Sequence, residues 1–303
     1  MTFQRIAIIG LGLLGGSIGL AVRQHLPGAT TTGYDRDPQV RKRATERKLA
    51  DRICETAADA AREADLVIFC VPPGAMGDAA REIAGALPAD ALVSDVGSCK
   101  QSIAQALGEA LPDNAIIPAH PVAGTENSGP DAGFATLFHN RWCIITPPEP
   151  CNLLLLTKLV EFWEALGANV ETMDAQHHDL VLAVTSHLPH LIAYTIVGTA
   201  SDLEEVTRSE VIKYSAGGFR DFTRIAASDP TMWRDVFLAN KDAVLEMLQR
   251  FTEDLTALQR SIRVGDGDAL FDHFARTRAI RRSIIEEGQD DARPDFGRAD
   301  HDD

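Results

Sequence analysis

The sequence is poor in positive charge: 29 Lys and Arg stand against 44 Asp and Glu, a formal net charge of −15 over 303 residues. A chain so short of cations cannot neutralise a run of phosphates. That excludes nucleic acid as a partner and argues against an anionic membrane surface. A small anionic ligand stays open, because one arginine or one helix N-terminus can hold a carboxylate against the global field. Cysteine is scarce as well. The five present (Cys54, Cys70, Cys99, Cys143 and Cys151) are odd in number and scattered, with no CxxC or CxxH spacing. Neither a disulfide framework nor a zinc site is expected, and a reducing cytoplasm is the natural setting. The apolar opening, MTFQRIAIIGLGLLGG, is too short and too rich in glycine to span a bilayer or serve as a leader, so no membrane association is expected. What remains, 45% hydrophobic with only 6% aromatic, is the composition of a soluble globular protein. Its length suits about two domains.

The first half alternates short apolar runs with helical segments. Strands are predicted at Arg5–Ile9, Thr30–Tyr34, Asp65–Val71, Ala91–Val96 and Ala115–Ala119, and late strands at Trp142–Thr146 and Asn169–Met173. Helices are predicted over Leu13–His25, Asp37–Lys48 and Leu153–Leu166. Asp65–Val71 (DLVIFCV) is apolar throughout, as a strand covered on both faces would be. Strands and helices alternating at this spacing imply an α/β fold with a mostly parallel, doubly wound sheet. After Met173 the strand pattern stops. Over Asp235–Val264 the apolar residues Phe237, Val244, Leu248, Phe251, Leu255 and Leu258 recur at helical spacing. The expected organisation is an α/β domain over 1–173, an all-helical domain over 174–288, and a disordered acidic tail over 289–303 with almost nothing apolar to bury.

Gly10-Leu11-Gly12-Leu13-Leu14-Gly15 follows the first strand and opens the first helix, and Asp35 ends the second strand. The pattern alone is weak evidence; strand, glycine turn, helix, strand and acidic residue together read as a Rossmann-type dinucleotide site. Gly10 permits the turn, Gly12 the approach of a pyrophosphate to the helix N-terminus beside Leu13 and Leu14, and Gly15 the packing of helix on strand. Asp35 would accept from the ribose hydroxyls and repel a 2′-phosphate, which favours NAD over NADP, although Arg36 next to it is a cation that could hold a phosphate. Val71 and Pro72 close a central strand where the cofactor would cross the sheet edge.

Four further segments do not read as ordinary core. They are Asp95-Val96-Gly97-Ser98-Cys99-Lys100, the HPVAGTE run from His120 to Glu126, the SHLPH run from Ser186 to His190, and the GFRDFTRIA run from Gly218 to Ala226, with Trp233 following. Together they resemble the prephenate/arogenate (cyclohexadienyl) dehydrogenase family, from the glycine turn to about Ile285. That resemblance implies an NAD-dependent oxidative decarboxylation, yielding 4-hydroxyphenylpyruvate or tyrosine, and a homodimer paired through the helical domain. It implies His120 as the catalytic base and Ser98 as its partner at the substrate hydroxyl. Arg224 would anchor a carboxylate, with His190 at the far end of the substrate. Glu126 and Asp221 would lie near the pocket, and Trp233 would form an aromatic wall with a neighbouring subunit within its reach.

Other residues stay open. Lys100 could serve cofactor or substrate, or lie in solvent. His187, one turn before His190, has no assigned role; no third ligand accompanies that pair, so no metal is expected. His177, His178 and Asp179 are consecutive and cannot converge on one ion from a helix. An unperturbed histidine base would titrate at about 6.5. Two other readings compete: a β-hydroxyacid dehydrogenase or imine reductase on the same two-domain plan, and a non-catalytic NAD-binding sensor.

Overall fold

The computed structural model describes residues 3–125, 127–202, 213 and 217–286. Six strands, β1 (Arg5–Ile9), β2 (Thr30–Tyr34), β3 (Arg52–Ile53), β4 (Leu66–Phe69), β5 (Leu92–Asp95) and β6 (Ala115–Ile116), form one parallel sheet. Their order is β3-β2-β1-β4-β5-β6, so the winding reverses between β1 and β4, the position where such sheets bind ligands. Side chains alternate along each strand. Ile6, Ile8, Leu66, Ile68 and Leu92 enter one core with α1 (Leu13–His25) and α6 (Leu153–Ala165). Ala7, Ile9, Val67, Phe69 and Val93 enter the other, under α3 (Ala57–Ala61), α4 (Met76–Ile83) and α5 (Lys100–Ala110). Both faces are covered, which is why the central strand reads as a continuous apolar run. The second strand feeds α2 (Pro38–Arg47), capped by the Asp37 side chain on Gln39 N–H.

The strand expected over Ala115–Ala119 is two strands in two sheets. Ile117 N–H still donates to Val93 O, but Pro118 has no N–H to continue the ladder. The chain then turns into β7 (Ala119–Pro121), which pairs antiparallel with β8 (Trp142–Ile145), itself parallel to β9 (Asn169–Thr172). This break delivers His120 to the carboxyl-terminal edge of β5.

Helices follow: α7 (Ala175–Leu182), a π-turn (Ala183–His187), α8 (Leu188–Ser201), α9 (Gly217–Thr223), a 3₁₀ turn (Arg224–Ala227), α10 (Pro230–Ala239), α11 (Lys241–Val264) and α12 (Gly267–Glu286). The π-turn has a cause in Pro189, which cannot donate to the carbonyl four residues back and whose ring would collide with it. The helix widens so that Leu188 N–H reaches Ala183 O instead. By length and composition alone the run Ala175–Ser201 could cross a bilayer, with mean hydropathy 1.6. Here its first half buries His178, Asp179 and His187.

Packing divides the chain at Leu245/Glu246 into two compact units. The helices α7 to α10 belong with the sheets in the first unit; α7 packs on α5, and α10 on the 3₁₀ turn Pro73–Ala75 that follows β4. In the second unit none of residues 246–283 is buried, and Ile262, Phe271, Phe274 and Ile280 are exposed. The expected acidic tail lies outside the described residues.

Gly19 tests how α1 meets its surroundings. A Cβ there would sit 1.8 Å from Leu49 O, a backbone atom that cannot swing away. Gly19→Ala is expected to cost about 1–3 kcal/mol or more, as overpacking does, and to lower Tm by several degrees. An unchanged Tm would mean that α1 packs less closely than described.

Candidate active site

The crevice at the winding reversal is lined by the glycine turn. Gly10 has φ of +101°, and a Cβ on it would lie 2.4 Å from Cys70 O. At Gly15 a Cβ would lie 1.9 Å from Gly10 O, so the helix sits directly on the strand. Gly12 differs, because a Cβ there would meet nothing within 4 Å. As the N-cap of α1 it also supplies no side-chain acceptor, leaving the first-turn N–H groups beside Leu13 and Leu14 for an anion. Asp35 accepts Leu11 N–H at 2.9 Å through Oδ2 and Asp37 N–H at 3.0 Å through Oδ1. Each oxygen keeps a lone pair for a ribose hydroxyl. Arg36 is exposed, while half-buried Val71 and exposed Pro72 lead from β4 into the 3₁₀ turn. These residues fit a dinucleotide: open space at the helix end, and an acidic acceptor beside it.

Next to this crevice, β5 ends at Asp95 and Ala119 opens β7, with Ala119 N–H donating to Asp95 Oδ1 at 3.3 Å. Lys100 is fully buried. Its Nζ donates to the Asp95 carboxylate and to Ala119 O, and Gly97 N–H donates to the same carboxylate at 2.7 Å. Removing two charges from water is costly, and these added hydrogen bonds offset part of that cost. Of the readings open for Lys100, the solvated one is therefore excluded.

His120 is only 7% exposed, and its Nδ1 lies 2.9 Å from His178 Nε2. His178 Nδ1 in turn lies 2.9 Å from Asp179 Oδ1. The same carboxylate accepts Lys100 N–H at 2.7 Å and Gln101 N–H at 3.0 Å, capping α5 from across the fold. The helix needs this, because Cys99 at its own N-cap makes no side-chain cap. Ser98, half-buried, hydrogen-bonds the Cys99 thiol and is not the cap. Burial, reinforced by the neighbouring His178, Lys100 and His187, pushes His120 well below the usual histidine value. The titration near 6.5 expected from an unperturbed base is thus corrected: this imidazole is neutral throughout the physiological range.

A second group lies along α8 and α10. Trp233 is buried, stacked on His190 at 3.6 Å between ring centroids and 22° between planes, and meets His187 edge-on at 6.1 Å. The Trp233 Nε1 is buried without a hydrogen-bond partner among the described residues. His190 Nδ1 lies 2.8 Å from Ser186 O; burial lowers its pKa, the Ser186 bond opposes this, and the Arg224 charge adds to the lowering. Arg224, half-buried, is thus near His190. Asp221 is exposed on α9, 3.9 Å from Arg220. Glu126 lies outside the described residues. His187 is bonded through Nδ1 to Asn240 at 3.1 Å, and Asn240 also donates to Asp179 O at 2.7 Å. His178, Asp179 and Asn240 escaped the sequence reading, which weighed His177-His178-Asp179 as ligands for an ion. Nothing local shows that His178 faces a strand 58 residues earlier.

Residues 18–172 match the nucleotide-binding domain of prephenate dehydrogenase, and residues 174–276 match its dimerization domain. The chain belongs to the prephenate dehydrogenase family. Within it, the cyclohexadienyl dehydrogenase of Zymomonas mobilis is 45% identical over 282 residues, covering 93% of this chain and 96% of the relative. Prephenate dehydrogenase from Aquifex aeolicus, solved with hydroxyphenyl propionate and NAD+, superposes with a TM-score of 0.87 at 32% identity, over 94% of this chain and 99% of that one. A Synechocystis arogenate dehydrogenase follows at 0.78 and 25%, over 93% of this chain and 100% of that one. Membership of the family makes the chain an oxidoreductase and bears out the resemblance carried by the four motif segments.

The buried histidines have a consequence for stability. His120, His178 and His190 are all lowered, and His187 is brought to about 4. Below about 6.5 the unfolded chain therefore binds more protons than the folded one, and stability falls as pH drops. His187 alone withdraws roughly 3 kcal/mol once pH is below both of its values. Tm is expected to fall by several degrees between pH 7.5 and 5. A Tm that holds or rises over that range would contradict neutral burial of these rings.

Proposed function

We propose that this chain catalyses the NAD-dependent oxidative decarboxylation of prephenate, arogenate or both, giving 4-hydroxyphenylpyruvate or tyrosine as a step of tyrosine biosynthesis. The observation that carries this reading is His120, a neutral, buried imidazole at the carboxyl-terminal edge of a dinucleotide sheet. NAD supplies the hydride acceptor. The chain supplies the base: His120 takes the proton from the ring hydroxyl while the carbon bearing it gives up hydride. An imidazolium could not do this, so the environment that keeps His120 neutral is part of the chemistry. Ser98 orients the same hydroxyl. Aromatisation then drives loss of carbon dioxide.

Arg224 pairs with a substrate carboxylate through its planar fork. His190 and the stacked Trp233 wall the far end, with Glu126 and Asp221 near the pocket. Hydroxyphenyl propionate, which together with NAD+ is in complex with the Aquifex enzyme, joins a phenolic hydroxyl to a carboxylate, the two groups that His120 and Arg224 would meet. Gly10, Gly12, Leu13, Leu14, Gly15, Val71 and Pro72 shape the cofactor crevice, and the Asp35 carboxylate disfavours the extra phosphate of NADP. The dinucleotide domain occupies 1–173 and the helical domain 174–288. The match to a dimerization domain and the unburied apolar residues of the second unit support a homodimer, operating in the cytoplasm.

The purified protein, given prephenate or arogenate with NAD or NADP, tests this through the absorbance of reduced nicotinamide. Turnover of at least one substrate is expected, with NAD preferred over NADP by about tenfold or more, the effect of an acidic residue at the ribose. No reduction with either substrate would overturn the reading.

A further inference from the structure

Resting on the assignment of His120 as the base, we propose that His178 and Asp179 form a positioning relay behind it. The relay fixes His120 as its Nδ1–H tautomer and receives the Nδ1 proton when Nε2 takes one from the substrate.

The tautomer follows from donors and acceptors taken in turn. A carboxylate only accepts, so His178 Nδ1, 2.9 Å from Asp179 Oδ1, carries a hydrogen. His178 is neutral, because burial outweighs the pull of Asp179 and brings it below the usual value. A neutral imidazole has one N–H, so His178 Nε2 is a lone pair. His120 Nδ1, 2.9 Å away, must then donate to it, and Nε2 of His120 is left as the basic nitrogen. The opposite tautomer would set two lone pairs against each other in a buried site.

Asp179 holds its place independently of His178. The N–H groups of Lys100 and Gln101 fix its carboxylate, and Asn240 Nδ2 fixes its backbone carbonyl. The groups facing the two rings are Lys100 of α5 and Asp95 of β5, the Cys143 thiol of β8, and Asp179 and His187 on the helical run that carries His178. Among these, the Lys100 charge opposes an imidazolium at either ring, and only His178 has the Asp179 hydrogen bond and the Asp179 and Asp95 charges to favour one.

The step balances as follows. The substrate O–H bond breaks as an N–H bond forms at His120 Nε2, and the O–H electron pair becomes the second carbonyl bond as the ring carbon gives up its hydride. The Nδ1–H bond of His120 breaks as an N–H bond forms at His178 Nε2. One proton has been gained by the pair, and its charge rests on His178 against the Asp179 carboxylate.

The test joins ¹⁵N NMR of the histidine rings, without substrate, to kinetics of His178→Leu and His178→Gln. His120 is expected to be protonated on Nδ1 in the parent enzyme. Glutamine can still accept from His120 and donate to Asp179 but cannot take a proton, so His178→Gln should keep the tautomer and lose about tenfold in kcat. His178→Leu should lose the tautomer preference and about a hundredfold or more in kcat, with KM for substrate and NAD unchanged within about threefold. If the leucine variant does not fold, the glutamine variant decides by the same readings. Protonation of His120 on Nε2 in the parent, near-parental kcat in both variants, or a loss confined to KM would overturn the relay. An Nδ1–H tautomer in an enzyme that turns over neither substrate would support the relay while overturning the functional reading.

Discussion

The Asp179 carboxylate accepts hydrogen bonds from two directions, and the site is arranged around that sharing. From one side come the N–H groups of Lys100 and Gln101, the first donors of α5; from the other comes His178, which stands against His120. A helix N-terminus that lacks its own cap is thereby closed by a residue 79 positions later in the chain. The same contact ties α7 to the end of β5, where the cofactor crevice opens. Moving Asp179 would disturb both the helix that carries Lys100 and the ring behind the base.

Charge in this region is managed by pairing and by burial. A protein of net charge −15 proposed to act on an anionic substrate needs local cation, and Lys100 does not supply it, being fully buried against Asp95. The half-buried Arg224 is better placed for that role. The four histidines around the site are all shifted toward the neutral form, chiefly by burial. A neutral ring favours proton acceptance over anion binding at His120, and the proposed reading assigns carboxylate recognition to the Arg224 guanidinium.

Much of this was legible in the sequence. The glycine turn, the acidic residue past β2, the alternation of strands and helices and the four motif segments led to the right fold and family. Several things were not legible, each for a physical reason. The split of Ala115–Ala119 into two sheets depends on one missing N–H at Pro118, whose effect appears only when its neighbour strands are known. The packing division after Leu245 depends on where α7 to α10 dock, and amphipathic spacing does not encode a docking partner. Asp179 read as one of three adjacent polar residues on a helix, because capping in trans leaves no local signature. The motif pointed to His120, but its titration is set by burial and by side chains from α5 and the helical run beyond β9, so an unperturbed value was the only one the sequence could suggest.

The central claim is that the base is neutral because it is buried, and the pH profile of kcat/KM tests it most directly. The free enzyme's essential base appears in that profile as the acid limb. With His120 held well below 6.5, kcat/KM for the cyclohexadiene substrate should stay level from pH 8 down to about 6 and decline only at more acidic pH. A half-maximal rate at about 6.5, the value of a solvated imidazole, would contradict the account.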